Sequence, residues 1–101
     1  MTHHEDDQPN PDEGWPCYFA PEVHALLSAP AVDADLFGAV AALSVAINAT
    51  RGQVPGSTGS ERWPHQRRVP LGSGGRLGIA EYVIVPDADE PHCVITRVQP
   101  C

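Results

Sequence analysis

The sequence predicts a single α+β domain in which a small antiparallel sheet packs against two N-terminal helices, in the order β-α-α-β-β-β. Two observations predict this class. The first half of the chain carries an alanine-rich helical pattern, and the second half carries β-rich runs separated by glycine and proline. The length of 101 residues allows one domain and is too short for two. We therefore expect the domain to occupy residues 15–101.

The first half of the chain predicts a short strand and two helices. A strand is expected over Cys17–Phe19, where the preceding Pro16 restricts it to a sheet edge. Pro21 suits the first turn of a helix that continues over Glu22–Ser28. A longer helix is expected over about Ala34–Thr50, because large apolar residues recur there at spacings of three and four. These residues, which we expect to form the core, are Leu36, Phe37, Val40, Leu43 and Ile47.

The second half of the chain predicts three strands after a long loop, Gln53–His65. Strands are expected over Gln66–Leu71, Arg76–Val85 and His92–Val98, because branched and aromatic residues alternate there between turn formers. The second of these strands is apolar on both faces, which predicts a central position in the sheet. The glycine-rich turn Gly72–Gly75 joins it to the strand before it.

The charge is unevenly distributed along the chain. The net charge is −7, and all six basic residues are arginine. Residues 1–14 carry five acidic side chains and no basic one, and this composition predicts a disordered acidic tail. Residues 51–82 carry five arginines against two glutamates. The acidic balance argues against a protein that coats nucleic acid non-specifically, but it allows a local positive face.

The cysteines and the hydropathy pattern indicate a cytoplasmic protein without metal. Cys17, Cys93 and Cys101 are odd in number and lack metal-ligand spacing, which predicts free thiols and no cofactor. A membrane span would need about 18 consecutive apolar residues, and the sequence contains no such run. The N-terminus lacks the pattern of a secretory signal.

Four segments, spread over about residues 17–99, resemble one family of small bacterial proteins. They are the segment Tyr18–Leu27 (Y-F-A-P-E-V-H-A-L-L), the alanine-rich helix, the loop Gly52–Ser57 and the paired strands of Arg67–Asp87. In content and order these segments resemble the RelE/ParE superfamily of type II toxin-antitoxin toxins, including the branch related to HigB. The resemblance implies a toxin that cleaves messenger RNA in the ribosome and is neutralised by an antitoxin.

The resemblance also suggests which residues would carry the function. A metal-free endoribonuclease needs cations on the scissile phosphate and groups that transfer protons at the ribose hydroxyl and the leaving oxygen. Its expected partners are an antitoxin protein, the ribosome and messenger RNA. The candidate catalytic residues are Arg67, Arg68, Arg76, Tyr82 and His92, and the candidate RNA-binding residues are His65, Trp63 and Arg97.

Two departures from the family pattern favour a different function. Tyr82 is followed by Val83, where the family often has an arginine, and no basic, aromatic tail follows the last strand. These departures favour a non-catalytic protein-binding module on the same fold. A toxin that inhibits gyrase is a further alternative.

The candidate residues also have structural explanations. Arg67 and Arg76 could form ion pairs with acidic side chains on the surface of the sheet. Trp63 could anchor the long loop instead of stacking on a base. The acidic partners that the sequence offers to the arginines are Glu81, Asp87 and Glu90.

Overall fold

The computed structural model describes residues 13–101, so most of the acidic tail predicted for residues 1–14 lies outside the described residues. The α+β class is confirmed, with two helices and four strands, and one strand precedes the helices. A short 3-10 turn over Ser73–Gly75 separates the second strand from the third. The elements are β1 (Cys17–Phe19), α1 (Pro21–Ser28), α2 (Ala34–Thr50), β2 (Gln66–Leu71), β3 (Gly78–Val85) and β4 (His92–Pro100).

The sheet is mixed, with the strand order β1-β4-β3-β2. The last three strands pair antiparallel, as predicted, and β3 lies in the centre of the sheet. The prediction of an antiparallel sheet is wrong for β1, which pairs parallel with β4. Two helices and two further strands separate β1 from β4 in the chain, and such a long connection allows two strands to run in the same direction.

The core lies between the two helices and one face of the sheet. Four residues of the predicted helical stripe are buried, but Phe37 is 48% exposed, so its assignment to the core is wrong. Along β3, alternate residues are buried, as expected for a strand that packs on one face only. The core residues are Val23, Leu36, Val40, Leu43, Ile47, Val69, Leu71, Ala80, Tyr82, Ile84, Cys93 and Ile95.

The end of α2 is held against β3 by backbone geometry and by one buried hydrogen bond. Arg51 adopts a left-handed conformation with φ 54°, and Gly52 follows with φ 90°. The buried hydroxyl of Tyr82 donates a hydrogen bond of 2.6 Å to the carbonyl oxygen of Gly52. A Cβ atom at position 52 would lie 2.5 Å from Cγ1 of Ile84. Glycine is therefore needed here for both its conformation and its size.

The substitution Gly52→Ala is expected to lower the free energy of unfolding by roughly 2–4 kcal/mol, because it adds backbone strain and crowds a packed core. Gly38→Ala is the matched control, because Gly38 lies inside α2 with no atom near its missing Cβ. That control should stabilise the protein by about 0.5–1 kcal/mol. Urea unfolding measures both effects. Equal stability of Gly52→Ala and the wild type would contradict the described packing.

Candidate functional site

The pairing register divides the residues of the sheet between two faces. Tyr82 lies opposite Arg67 on β2 and Ile95 on β4, so these three side chains point to the face that the helices cover. The preceding residue, Glu81, lies opposite Arg68 and Arg97. Because strand residues alternate, these charged side chains point to the opposite face. No helix or strand of residues 13–101 covers this side of the sheet, and we call it the open face.

A β-bulge in β4 determines which of its residues reach the open face. Glu81 pairs with Arg97 and Tyr82 pairs with Ile95, which leaves Thr96 as the extra residue. The bulge reverses the alternation along β4. Beyond it, Val98 packs against the core and Arg97 is exposed. Without the bulge, Arg97 would point toward the helices.

The open face has an apolar centre. Tyr18, Val94, Val83 and Gln66 lie side by side in one row across all four strands. Tyr18 is 51% exposed, and its ring packs edge-on against the imidazole of His92, with 5.5 Å between ring centroids. The two valines are half-buried by their neighbours in the sheet. The row therefore presents aromatic and aliphatic surface next to solvent.

A charged row lies next to this apolar centre. Arg68 Nη2 lies 3.1 Å from Glu81 Oε2, and the Arg68 side chain is 61% exposed. Such a surface ion pair contributes about 0–1 kcal/mol. On the other side of Glu81, Arg97 is exposed and forms no ion pair within residues 13–101. The row therefore carries one excess positive charge, which is available to a negatively charged partner group.

Two candidate catalytic residues lie on the helix-covered face. Tyr82 is fully buried, and its hydroxyl is bonded to Gly52. The guanidinium of Arg67 is held by the long loop: Nε donates to Ser57 Oγ at 2.9 Å, and Nη2 donates to Ser57 O at 3.0 Å. Nη1 donates to Pro64 O at 3.4 Å. In this arrangement Arg67 fixes the loop to the sheet.

Two further candidate catalytic residues, Arg76 and His92, lie far apart along the sheet. Arg76 lies in the turn just before the start of β3, whereas His92 pairs with Val85 at the end of β3. Eight residues of β3 separate these positions, a span of roughly 23 Å along the strand. A single scissile phosphate cannot contact both side chains.

The candidate RNA-binding residues divide in the same way. Trp63 lines a shallow cleft at the β2 edge together with Arg67 and Arg68. Its side chain is 59% exposed, and the guanidinium of Arg62 lies 5.6 Å from the ring centroid. The side chain of His65 is exposed in the same loop. Arg97 lies apart from both, on β4.

The structure shows which arginine forms the ion pair to Glu81 and which side chain anchors the long loop. The ion pair to Glu81 is made by Arg68, and within residues 13–101 neither Arg67 nor Arg76 pairs with an acidic side chain. The exposed ring of Trp63 does not anchor the loop by burial. Arg67 does so by its three hydrogen bonds to loop atoms.

Sequence reasoning missed Tyr18, Val83 and Val94 as functional candidates. The strand that contains Val83 is central, as predicted, but no element of residues 13–101 covers the open face. One feature of the sequence could have identified this surface. Both predicted helices precede β2, and no helical pattern follows it that could cover the second face of the sheet. The two helices follow one another in the chain and share one core with the sheet, so both pack on the same face.

No helix of the described chain is long and apolar enough to cross a membrane. In the same residues, 13–101, no group of three or more His, Cys, Asp or Glu side chains could hold a metal ion. The surroundings of two thiols raise their pKa values. Burial, reinforced by the nearby Cys93, raises the pKa of Cys17 to about 12, and burial also raises the pKa of Cys93.

The substitution Arg67→Ala is expected to release the loop that contains Arg62. Trypsin cleavage after Arg62 should then be about tenfold faster or more, because local opening exposes the backbone. Arg76→Ala is the control, because the Arg76 side chain is exposed and bonds no described residue. Mass spectrometry of the fragments measures the rates. Equal cleavage of Arg67→Ala and the control would show that Arg67 does not hold the loop.

The thiols should differ in reactivity at pH 8. Cys101 is exposed and should react rapidly with a disulfide reagent such as dithionitrobenzoate. A pKa of about 12 leaves about one Cys17 thiol in ten thousand ionised at this pH, and the thiolate is the reactive form. Cys93 is buried and should be similarly slow. We expect one fast thiol in the native protein and three in denaturant. Three fast thiols in the native protein would contradict this burial.

Comparison of the chain with protein-family models, with curated proteins and with solved structures gives no match. The resemblance to the RelE/ParE superfamily therefore depends on the sequence segments quoted above.

Proposed function

We propose that the protein is a non-catalytic binding module that docks a protein partner on the open face of its sheet. One observation carries this proposal. The open face combines an apolar centre, at Tyr18, Val83 and Val94, with a charged row at its side, whereas the candidate catalytic residues are divided between two faces and two ends of the sheet. An apolar centre with a polar rim is the usual composition of a protein interface.

The charge of the surface supports a protein partner over a nucleic acid. The chain carries a net charge of −7, which repels a polyanion at long range. The open face offers a single excess positive charge, at Arg97, which suits one or two carboxylates and not a run of phosphates. The partner we expect presents aliphatic or aromatic side chains to Val83 and Val94 and a carboxylate to Arg97.

A second candidate function is that of a RelE-like toxin that degrades messenger RNA. The order of the elements is the order that the resemblance implies. In addition, Arg68, Arg97 and His92 lie on the open face, where two cations and an imidazole could contact an RNA backbone. A gyrase-inhibiting toxin would use the same fold without cleavage.

Controlled induction of the full chain in a bacterial host, with pulse labelling of protein and DNA synthesis, separates these functions. A binding module should leave both syntheses unchanged. Rapid loss of protein synthesis, relieved by the double variant Arg68→Ala and Arg97→Ala, would overturn the proposal in favour of RNA cleavage. Early loss of DNA synthesis would favour gyrase inhibition.

The docking surface is tested by a photo-crosslinking amino acid at position 83 in cells. It should capture a discrete protein partner, and Arg97→Glu should reduce the yield by about tenfold, since it replaces an attraction with a repulsion. A crosslinker at Val45, which is 68% exposed on α2, is the control. Equal capture from positions 83 and 45 would show that the open face is not the binding surface.

A further inference from the structure

The two edges of the sheet differ in whether their backbone groups are satisfied. The outward edge of β2 offers no free N–H group to another strand. The N–H of Gln66 donates to Trp63 O at 3.1 Å, and Arg68 exchanges two hydrogen bonds of 2.9 Å with Thr58. Pro70, the next outward residue, has no N–H. The long loop and a proline therefore close this edge to another strand.

The edge formed by β1 is open. The carbonyl oxygen of Pro16 accepts from Cys93 N, and Ala20 N donates to Ile95 O, each at 2.9 Å. Backbone groups alternate in direction along a strand, so Pro16, Tyr18 and Ala20 point to β4, and Cys17 and Phe19 point away from it. No group of residues 13–101 pairs with the backbone of Cys17 or Phe19. Two N–H groups and two carbonyl groups are therefore available to a partner strand.

We propose that this partner is β1 of a second copy of the chain, paired antiparallel about a two-fold axis. The free groups are arranged symmetrically about Tyr18. Cys17 of one copy would therefore lie opposite Phe19 of the other, and Tyr18 would lie opposite its own counterpart. Each Cys17–Phe19 pair exchanges two hydrogen bonds, so a second copy satisfies every free group of the strand.

This contact closes after two copies. A two-fold contact uses the same strand from both chains, so neither chain has a free β1 edge afterwards. The β2 edge is closed by its loop and cannot continue the sheet. Pro16 and Pro21 flank β1 and prevent the pairing from growing along the chain. The geometry therefore favours a dimer over a fibre.

The surface beside β1 can supply the apolar contact that a three-residue strand lacks. Phe19 also lines a groove between α1 and α2, where Leu27 and the half-exposed Phe37 contribute apolar surface. From Leu36 to Thr50, α2 carries no charged side chain, so two copies can approach here without repulsion despite their net charge. Because Phe19 belongs to both the strand and the groove, the copy that pairs with β1 lies beside the groove.

Sedimentation equilibrium of the full chain under reducing conditions tests this dimer. The expected mass is twice the chain mass of 10.8 kDa. Tyr18→Glu places two like charges at the two-fold axis and should raise the dissociation constant tenfold or more. Gln66→Glu is the matched control, because Gln66 lies in the same row on the closed edge. A monomer at all concentrations, or equal effects of the two variants, would overturn the proposal.

Disulfide formation tests the register. In this pairing the two Tyr18 residues form a non-hydrogen-bonded pair with Cα atoms about 4.5 Å apart, within the range of a disulfide. In a Cys101→Ser background, Tyr18→Cys should oxidise to a covalent dimer, and Gln66→Cys should not. Circular dichroism confirms that each variant is folded. A dimer whose Tyr18→Cys chains do not crosslink would show that another surface forms the contact.

Discussion

The hydrogen bond from the Tyr82 hydroxyl to the Gly52 carbonyl oxygen joins the two layers of the domain. Both groups are buried away from water, so without this bond each would be left without a hydrogen-bond partner in the folded protein. The bond fixes the end of α2 over the centre of the sheet, and the loop that follows must start from that point. Arg67 then fastens the same loop to β2, next to Tyr82 in the register. The closed edge of the sheet therefore depends on this buried contact.

Arg67 and Tyr82, whose side-chain chemistry suggests catalysis, have structural roles in this domain. The two residues lie on neighbouring strands and could form a reactive pair. Instead, Tyr82 holds the end of α2 in place, and Arg67 holds the loop. The open face, in contrast, is formed by residues with ordinary side chains, such as Val83 and Val94. A surface suited to recognition can therefore arise without any residue that is reactive by itself.

Most of the element boundaries could be predicted because local signals determine them. Proline at the start of α1, apolar spacing in α2 and alternation in β3 act over a few residues each. The parallel pairing of β1 could not be predicted in this way, because it depends on a contact between residues far apart in the chain. The position of Arg97 also escaped prediction, since the bulge at Thr96 has no clear sequence signal. The candidate site was predicted less well than the elements, because the face that each side chain occupies depends on such long-range pairing.

The bulge at Thr96 decides which of the later residues of β4 face the core. If Thr96 paired as a regular strand residue, strict alternation would exchange the faces of Arg97 and Val98, so that a charged side chain would enter the core. Deleting Thr96, in contrast, keeps Arg97 opposite Glu81 and Val98 opposite Ala80, whereas deleting another interior residue of β4 moves the side chains on one side of the deletion to the opposite face. Among variants of this chain, loss of Thr96 should therefore be tolerated better than loss of any other interior residue of this strand.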